Sequence, residues 1–381
     1  MKAYGYNLVD CNNFIYRFAD FLVFIGKFKR RLIPLAGFCF MKVAILGHFL
    51  TKKDYKRMIP FGKCIPLFLL EWFFKMVPDK KRYMQVSEFD ILGKAEGCVV
   101  GILLTSQEMM EDKERARNIV LDSILYAQNE LKCDLVMLGA LTAPVTSAGL
   151  WLRENPKVKL AITTGNTYTA AISIEAAEKA MKLSQMEKEK IKMAIVGAAG
   201  VIGEAIVRYF NEKGFDLILV EREMERFERL KPKLLNDKYT LTDKLSDIIN
   251  ADIIITATSH PESLIVPEYL KQGAIVVDVA EPSDVVDDIE ERRPDVISID
   301  GGRVKWGSFN VGTRIGLPRG IGFACMTEGI MQALEEDKKD YIGSVDMEHL
   351  KETMNWGRKW NFPLADFTCF NKIISLDKFK K

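Results

Sequence analysis

Short runs of apolar residues alternate with amphipathic stretches along the first half of the chain. These runs end near glycine or turn residues, as buried strands do, and cover 41–47, 98–104, 134–139 and 160–165. Residues 113–132 carry apolar side chains at helical spacing. An alanine-rich helix should begin within 164–169, with Asn166 or Thr167 as its cap, and end near Gln185. Strands separated by helices predict an α/β domain.

The same alternation continues in the second half of the chain. Predicted strands cover 191–196, 217–220, 252–258 and 274–278. An amphipathic helix is expected at 204–213, directly after the first of these strands. Nearly continuous apolar strands belong to parallel sheets that are covered on both faces, so a second α/β domain is expected here.

A length of 381 residues exceeds what one hydrophobic core usually organises, so two domains are expected. The charged run 187–192 is typical of a solvated link between them. The predicted organisation has four parts: an N-terminal extension (1–40), an α/β substrate domain (41–186), a Rossmann domain (187–322) and a C-terminal helical segment (323–381).

Residues 32–50 form an apolar stretch that only Lys42 and His48 interrupt. Its length approaches the ~20 residues that span a bilayer, which leaves a membrane helix as one interpretation. The favoured alternative is a strand that begins at Met41 and opens the α/β domain. The segment before Met41 would then be an extension that packs loosely or lies on a membrane surface.

Composition and charge narrow the function. Hydrophobic residues make up 48% of the chain and charged residues 28%, which is typical of an ordered globular protein. The net charge of +2 is too small to favour nucleic acid as a partner. Seven cysteines show no paired spacing, so no metal centre or disulfide framework is predicted, and reduced thiols in the cytoplasm are expected.

A glycine pattern typical of dinucleotide binding follows the strand at 191–196. Gly197, Gly200 and Gly203 have the required spacing, and a helix and a second strand follow them. Glycine permits the tight turn and the approach of backbone to a pyrophosphate, and the helix N-terminus favours the negative charge. The predicted coenzyme-binding residues of this turn are Gly197, Ala198, Gly200, Val201, Ile202 and Gly203.

The strand at 217–220 ends in Glu221 and Arg222, which suit different coenzymes. An acid here would bind a ribose hydroxyl as in NAD sites, whereas an arginine would face the 2′-phosphate of NADP. A solvated pair without a ligand is the third interpretation. Thr258 and Ser259 follow the next strand, at the carboxyl edge where open α/β sheets bind ligands.

Cys325 lies between the turn-rich segment 316–322 and a helical pattern at 326–336. A helix start stabilises a thiolate, the nucleophilic form, so a lowered pKa is expected for this thiol. From its position alone, a buried packing residue is the more frequent outcome. His48 and His260 are the histidines considered as its partner, and a simple loop role is favoured for each.

The segment Phe323-Ala-Cys325-Met-Thr-Glu328, with Leu317-Pro-Arg-Gly upstream, resembles the nucleophile segment of the aldehyde-forming long-chain acyl-acyl carrier protein (acyl-ACP) reductases. Further similar motifs are Ile45-Leu-Gly-His48-Phe-Leu-Thr51, Leu138-Gly-Ala-Leu-Thr142, Thr163-Thr-Gly-Asn-Thr167, Val196–Gly203 and Asp300-Gly-Gly-Arg-Val304. The resemblance covers residues 41–336. The chain departs from the family in its N-terminal extension, in Glu221 before Arg222, and in Asp300 where asparagine is common.

This resemblance implies a reaction and its site. Cys325 would attack a fatty acyl thioester, and NADPH, with NADH as the alternative, would reduce the acyl-enzyme to an aldehyde. Backbone N–H groups at the helix start would stabilise the oxyanion. Thr164, Asn166 and Thr167 are the expected coenzyme-binding residues of the threonine-rich motif. The acyl donor would be acyl-ACP or acyl-CoA.

Two other functions remain open. One is a dehydrogenase of the shikimate or methylene-tetrahydrofolate kind, which transfers hydride without a covalent intermediate. The other is a non-catalytic dinucleotide-sensing protein that acts through a membrane-bound N-terminal segment.

Basic clusters in the first third of the chain bear on delivery and localisation. They are Lys27–Arg31, Lys52-Lys53 with Lys56-Arg57, and Lys80-Lys81-Arg82. They would attract an acidic carrier protein, and the apolar run 67–74 would receive an acyl chain or touch a membrane. The alternative, given equal weight, is that these lysines are solvated surface residues and that the run 67–74 is a buried helix. The expected location is cytoplasmic, with peripheral membrane contact.

Overall fold

A computed structural model describes residues 40–49, 65–260 and 262–380. The predicted extension at 1–40, except Phe40, therefore lies outside the described residues. The same holds for the basic groups Lys27–Arg31 and Lys52-Lys53-Lys56-Arg57 and for Thr51. The chain forms two compact units. The first unit contains the chain up to Thr163 together with two later segments, Val311–Arg314 and Ala333–Asp340. The second unit contains the remaining residues from Thr164 onwards.

The first unit is built on a five-stranded sheet with the strand order β2-β3-β1-β4-β5. Its strands are β1 (Lys42–Phe49), β2 (Tyr83–Ile91), β3 (Ala95–Thr105), β4 (Leu135–Leu138) and β5 (Ala161–Thr163). Its helices are α1 (Leu67–Met76), α2 (Ser106–Glu111), α3 (Lys113–Asn129), α4 (Thr142–Val145) and α5 (Leu150–Arg153). The four predicted strands and the helix at 113–132 are confirmed.

Strand β1 is the central strand of this sheet, and its middle residues are buried on both faces. It pairs in parallel with β3 and β4, so the strand interpretation of residues 41–47 is confirmed. The edge strand β2 runs antiparallel to β3 and was not predicted. Its polar residues are too frequent for the apolar-run criterion, because only one face of an edge strand is covered here.

Helix α1 is apolar on both sides but buried on only one. Leu70 and Phe74 pack with Phe49 and Leu103 in a small core cluster. The opposite face is exposed and carries Phe68, Leu69, Trp72 and Met76. The alternative of a buried helix at 67–74 is therefore wrong for Phe68, Leu69 and Trp72, three of its eight residues.

The second unit contains a six-stranded, wholly parallel sheet with the order β11-β10-β9-β6-β7-β8. Its strands are β6 (Lys192–Val196), β7 (Asp216–Val220), β8 (Tyr239–Thr242), β9 (Ile253–Thr256), β10 (Ile275–Asp278) and β11 (Ile297–Asp300). The helices along it are α6 (Asn166–Leu183), α7 (Val201–Glu212), α8 (Met224–Leu230) and α9 (Ile289–Arg292). This is the predicted Rossmann arrangement, and the fold class is confirmed.

Most of the chain after β11 belongs to the second unit instead of forming a separate C-terminal segment, and only Val311–Arg314 and Ala333–Asp340 belong to the first. It forms β12 (Arg303–Lys305), β13 (Ile321–Phe323), α10 (Ala324–Leu334), α11 (Met347–Lys359), β14 (Thr368–Cys369) and β15 (Lys372–Ile373). Asp300, at the end of β11, accepts hydrogen bonds from Thr368 Oγ1 (2.7 Å) and from the backbone N of Phe370 (2.9 Å). These bonds anchor the terminal hairpin to the large sheet.

The boundary between the units lies at 163/164, earlier than the predicted 186/187. The reason is helix α6, which packs against α7 and α11. Most of its residues are buried, so it cannot be a surface helix of the first unit. The charged run that was expected to link two domains is an exposed turn at Lys188–Lys190 inside the second unit.

No helix in the described parts of the chain is long and apolar enough to cross a membrane.

Candidate active site

The glycine-rich turn after β6 has the geometry of a dinucleotide site. Gly197 has a left-handed φ of 78°, and a Cβ there would lie 2.9 Å from the carbonyl oxygen of Ala257. A Cβ on Gly203 would overlap the Gly197 carbonyl, so helix α7 approaches the turn more closely than any side chain allows. Two of the three predicted glycines are thus required by the fold itself.

Gly200 differs because a Cβ there would meet only the Gly197 oxygen, at 3.2 Å, and the Ala257 oxygen, at 3.7 Å. It caps helix α7, whose first turn begins with Val201 and Ile202. First-turn N–H groups have no intrahelical partner and carry the positive end of the helix dipole, which suits a pyrophosphate. The turn therefore fits the coenzyme that the sequence predicts.

Replacing Gly200 with valine should weaken coenzyme binding at least about tenfold, because the branched side chain would occupy the space in front of the helix N-terminus. Fluorescence titration with NADPH would measure the dissociation constant. An unchanged thermal midpoint would show that the fold survives. Unchanged affinity in the folded variant would mean that the turn has only a structural role.

Glu221 and Arg222 point in different directions at the end of β7. Glu221 is buried, and its carboxylate accepts hydrogen bonds from the backbone N of Ala199 and of Glu223, both at 3.0 Å. Arg222 is 80% exposed and lies 3.7 Å from Glu223. Glu221 is therefore held against the glycine-rich turn, and the interpretation of a solvated pair is wrong for this residue.

Coenzyme choice can be tested on Arg222. If its guanidinium meets a 2′-phosphate, Arg222→Ala should weaken NADPH binding about tenfold or more and leave NADH binding almost unchanged. Arg226→Ala is the matched control, since Arg226 is an exposed arginine on the next helix that also pairs with Glu223. Equal losses for both coenzymes would refute a role in selecting NADPH.

Polar groups converge at the carboxyl ends of β9 and β10, as expected for a ligand-binding edge. Thr258 donates through Oγ1 to Asp284, at 2.6 Å, while Ser259 is exposed. Asp278 accepts from Thr256 Oγ1 (2.8 Å) and from a neighbouring serine hydroxyl. Burial raises the pKa of Asp284 to about 6 and also raises that of Asp278. Neither aspartate was among the predicted site residues, although Asp278 ends an apolar strand.

Cys325 lies in the first turn of α10, against the threonine-rich segment. Strand β13 leads directly into this helix, so the thiol is at its N-terminus, as predicted. Gly165 has a φ of 71°, and a Cβ there would lie 2.5 Å from the Cβ and the carbonyl oxygen of Cys325. The structure thus brings together two motifs that are far apart in the sequence.

The predicted lowering of the Cys325 pKa is wrong. Burial raises the pKa of this thiol to about 12, and the carboxylate of Glu328 raises it further. Hydrogen bonds from the backbone N–H groups of Met326 and Cys325 and the charge of Arg303 act in the opposite direction but are outweighed. The helix start stabilises the thiolate as expected, yet desolvation is the larger effect.

Glu328 connects α10 to α6. It is fully buried, and its Oε2 accepts a hydrogen bond of 2.6 Å from the backbone N of Tyr168 in the first turn of α6. Its Oε1 lies 4.0 Å from Nε2 of His349, whose ring stacks on Tyr341. The N-termini of α6 and α10 therefore converge at Cys325. His349, which lies on α11 and was not among the predicted partners of Cys325, is the histidine linked to this helix.

The two histidines considered as partners bond to other groups. His48 lies in strand β1, where its Nε2 accepts a hydrogen bond from the backbone N of Leu141 at 3.0 Å and its Nδ1 lies 2.8 Å from the carbonyl oxygen of Phe49. Nδ1 of His260 lies 3.0 Å from the carbonyl oxygen of Glu262 in the loop after β9. The favoured loop interpretation is therefore wrong for His48 and agrees with the position of His260.

The other predicted residues of the threonine-rich motif surround Gly165. Thr164 and Thr167 are buried, and Asn166 is half-buried. The residue that caps α6 is Gly165, and neither Asn166 nor Thr167 does so, because the left-handed turn places the glycine at the helix start. A role for these three residues in coenzyme binding stays a prediction.

The parallel sheet and the glycine-rich turn define an NAD(P)-binding domain of the Rossmann type. For this class the predicted coenzyme, NADPH with NADH as the alternative, is confirmed. The family profile of shikimate / quinate 5-dehydrogenase matches residues 175–301, most of the large sheet.

Several curated proteins are similar to parts of the chain. The aminotransferase PigE of Serratia sp. is 29% identical over 259 residues, which are 65% of this chain and 29% of that protein. The long-chain acyl-ACP reductase of Synechococcus elongatus is 27% identical over 254 residues, 63% of this chain and 72% of that protein. The glutamyl-tRNA reductase of Methanocaldococcus jannaschii is 31% identical over 147 residues, 38% of this chain and 36% of that enzyme. The chain thus spans less than a third of the length of PigE.

Among solved structures, the nucleotide-binding domain of glutamyl-tRNA reductase from Thermoplasma volcanium aligns with 34% of this chain and 84% of that chain, with a TM-score of 0.26 and 22% identity.

Proposed function

We propose that this protein reduces a long-chain acyl thioester to an aldehyde with NADPH, through an acyl-enzyme on Cys325. The observation that supports this most is the contact between Gly165 and Cys325, which sets the thiol where two helix N-termini meet. Such a position favours the negative charge that develops on sulfur and on a thioester oxygen. The similarity to the Synechococcus acyl-ACP reductase adds support.

The residues of the site would perform the acyl transfer. The Cys325 sulfur attacks the carbonyl carbon, a carbon–sulfur bond forms, and the carrier leaves as a thiol that takes the proton lost by Cys325. The backbone N–H groups of Cys325 and Met326, which hydrogen-bond the sulfur, stabilise its charge during attack. The bound coenzyme supplies the hydride that reduces the acyl group. Release of the aldehyde breaks the bond to sulfur and restores Cys325.

Mass spectrometry after incubation with a long-chain acyl-CoA or acyl-ACP, without coenzyme, tests this function directly. We expect one acyl group added to the intact protein, and peptide mapping should place it on Cys325. Adding NADPH should remove the adduct and produce aldehyde. An unmodified protein under these conditions would contradict the acyl-enzyme.

A dehydrogenase that transfers hydride directly is the second candidate. The shikimate / quinate 5-dehydrogenase profile favours it, since its match covers most of the coenzyme-binding sheet. In that case Cys325 would be dispensable, and the polar cluster of Thr258, Asp278 and Asp284 would face the substrate. Coenzyme-dependent turnover by a Cys325→Ala variant would favour this function.

Delivery of the substrate by an acidic carrier protein should depend on ionic strength. Lys80 and Lys81 are exposed, and the cluster at Lys52, Lys53, Lys56 and Arg57 lies close in sequence. Exposed charges are screened beyond about 8 Å at physiological salt, so kcat/KM with acyl-ACP should fall steeply as salt rises. Replacing the cluster of four with glutamine should cause a similar loss.

The control for this prediction is a small acyl thioester, whose kcat should barely change with salt or with the substitutions. A flat salt response with acyl-ACP would show that charge does not guide the carrier to this protein.

A further inference from the structure

Arg303 is an enclosed guanidinium whose hydrogen-bonding capacity is only partly used. It lies on β12, with Nη2 3.5 Å from Oε2 of Glu281 and its cationic carbon 4.8 Å from the centre of the Phe323 ring. Nε and Nη1 are buried and have no hydrogen-bond partner among the described residues. Leaving such donors unpaired is costly, so an acceptor from a ligand would stabilise this arrangement.

Strand pairing fixes Arg303 beside the nucleophile. Arg303 pairs with Phe323 across the β12–β13 ladder, and the carbonyl oxygen of Gly302 accepts a 2.9 Å hydrogen bond from the backbone N of Ala324. Cys325 is the next residue. The positive charge of Arg303 acts on this thiol, where it opposes the effects of burial and of Glu328. A short β-ladder therefore places Arg303 opposite Phe323, two residues before Cys325.

We propose that Arg303 is a catalytic residue, which donates from Nε or from Nη1 to the carbonyl oxygen of the acyl thioester. This rests on the proposed function. As the bond from the Cys325 sulfur to the carbonyl carbon forms, the π electron pair moves to oxygen, and Arg303 stabilises that oxyanion. When the bond to the carrier sulfur breaks, the pair returns to form the carbonyl of the acyl-enzyme. Arg303 keeps its protons throughout.

The charges around Arg303 suit this role. Glu281 lies at its Nη2, and burial raises the pKa of that carboxyl, while Asp278 and Asp300 raise it further and Arg303 lowers it. Glu328 faces the thiol from α10. Glu281 lies at Nη2, so Nε and Nη1 are the N–H groups without an acceptor among the described residues. A purely structural Arg303 would use its N–H groups on protein atoms instead.

The test compares Arg303→Gln and Arg303→Lys with Lys305→Gln. Lys305 lies two residues further along the same strand, where it pairs with Asp366. Its substitution therefore removes a positive charge from the strand at a position away from the thiol. Single-turnover acylation by an acyl-CoA should slow about 100-fold in Arg303→Gln, with little change in KM. Arg303→Lys should recover part of the rate, because the charge remains but the planar guanidinium with its fixed N–H directions is lost. Lys305→Gln should acylate normally.

Alkylation of Cys325 by iodoacetamide gives a readout that does not need the acyl substrate. Loss of the nearby positive charge should slow it about tenfold in Arg303→Gln at pH 8, as measured by peptide mapping. Normal acylation in a folded Arg303→Gln variant would overturn the proposal. If the wild-type protein forms no acyl adduct, the proposed function fails. In that case alkylation still tests Arg303: if Arg303→Gln is alkylated as fast as the wild-type protein, Arg303 does not act on the thiol.

An independent observation concerns the outer face of helix α1. Phe68, Leu69, Trp72 and Met76 are 44–67% exposed there. The helix is held firmly, because the buried Arg82 donates to the carbonyl oxygens of Phe74 and Val77 at its C-terminal end. A fixed helix that presents large apolar side chains to solvent marks an interaction surface.

We infer that this face docks on a lipid bilayer with anionic headgroups. The exposed lysines Lys75, Lys80 and Lys81 follow the apolar face along the chain, an arrangement that places positive charge beside inserted aromatic side chains. Asp79, the acid in the same turn, is engaged by Arg115 at 2.8 Å. Docking there would bring the protein to a surface that carries long acyl chains.

Quenching of tryptophan fluorescence by brominated lipid tests this docking on the full chain. Vesicles that contain phosphatidylserine should quench the wild-type protein, and Trp72→Phe should remove that quenching. Phe68→Ser should lower vesicle affinity about tenfold. Leu150→Ser is the control, since Leu150 is 51% exposed elsewhere in the same unit. Lack of binding to these vesicles, or a dimer in solution that Phe68→Ser dissociates, would overturn the inference.

Discussion

Replacing Cys325 with alanine should abolish both acyl-enzyme formation and aldehyde production, a loss of at least about 10³ in rate, because no other group can form the covalent bond. Coenzyme binding should be unchanged, since Gly197, Gly200 and Gly203 lie on separate elements. The measurements are intact-protein mass spectrometry, aldehyde release and NADPH titration. The matched control is Cys369→Ala, which removes a buried thiol of the same unit.

Near-normal aldehyde production by Cys325→Ala would exclude the covalent mechanism. The pH dependence offers a second check. Because the pKa of the thiol is raised to about 12, only a small fraction is thiolate at neutral pH, and that fraction grows tenfold per pH unit. The acylation rate of the wild-type protein should therefore rise steadily between pH 6 and 9. A plateau near pH 7 would show that the thiol ionises more easily than its burial implies.

The second large effect should follow from Gly165→Ala, a change of one methyl group. The added carbon would lie 2.5 Å from atoms of Cys325, so the nucleophile or the start of α6 must move. We expect aldehyde production to fall about 100-fold, because misplacement by about 1 Å has that effect on reacting groups. A left-handed φ adds a cost of roughly 1–2 kcal/mol for any residue with a side chain.

Gly214→Ala separates these two contributions. Gly214 also has a left-handed φ, of 75°, but a Cβ there meets nothing within 4 Å. It should therefore lose stability in thermal unfolding and keep its activity. If Gly165→Ala behaves like Gly214→Ala, then close packing at Cys325 does not matter for the reaction.

The sheets and the glycine-rich turn were predictable because their signals are local. An apolar run such as 191–196 indicates by its composition that the strand is buried. The spacing of Gly197, Gly200 and Gly203 is determined by one turn and one helix. The antiparallel strand β2 was not predicted, because its alternation of apolar and polar residues is interrupted. The boundary between the units at Thr163 was not predicted, because the sequence of α6 does not indicate which of the two sheets its buried face covers.

The active-site chemistry was less predictable because it depends on distant residues. The direction of the Cys325 pKa shift is determined by burial, which a helix-start position does not reveal. Glu328 and His349 meet only through folding, as do Arg303 and Cys325 across a two-stranded ladder. The segment Phe323–Glu328 predicts Cys325 as the nucleophile, and this stays a prediction, whereas Arg303 on β12 and His349 on α11 are not part of that local signal.

The separation of the site segments also has a consequence for biosynthesis. The hydrogen bond from Tyr168 to Glu328 joins residues 160 positions apart, and the bond from the Tyr168 hydroxyl to the carbonyl oxygen of Phe362 spans 194. Ribosomes add about 5–20 residues per second, so the parallel sheet, complete at Asp300, emerges seconds before the last of these contacts can form. A nascent chain could thus bind dinucleotide before its thiol is held in place. Chains that end between Glu328 and Phe362 would retain Cys325 and the bond from Tyr168 to Glu328 but lack the bond from the Tyr168 hydroxyl to Phe362.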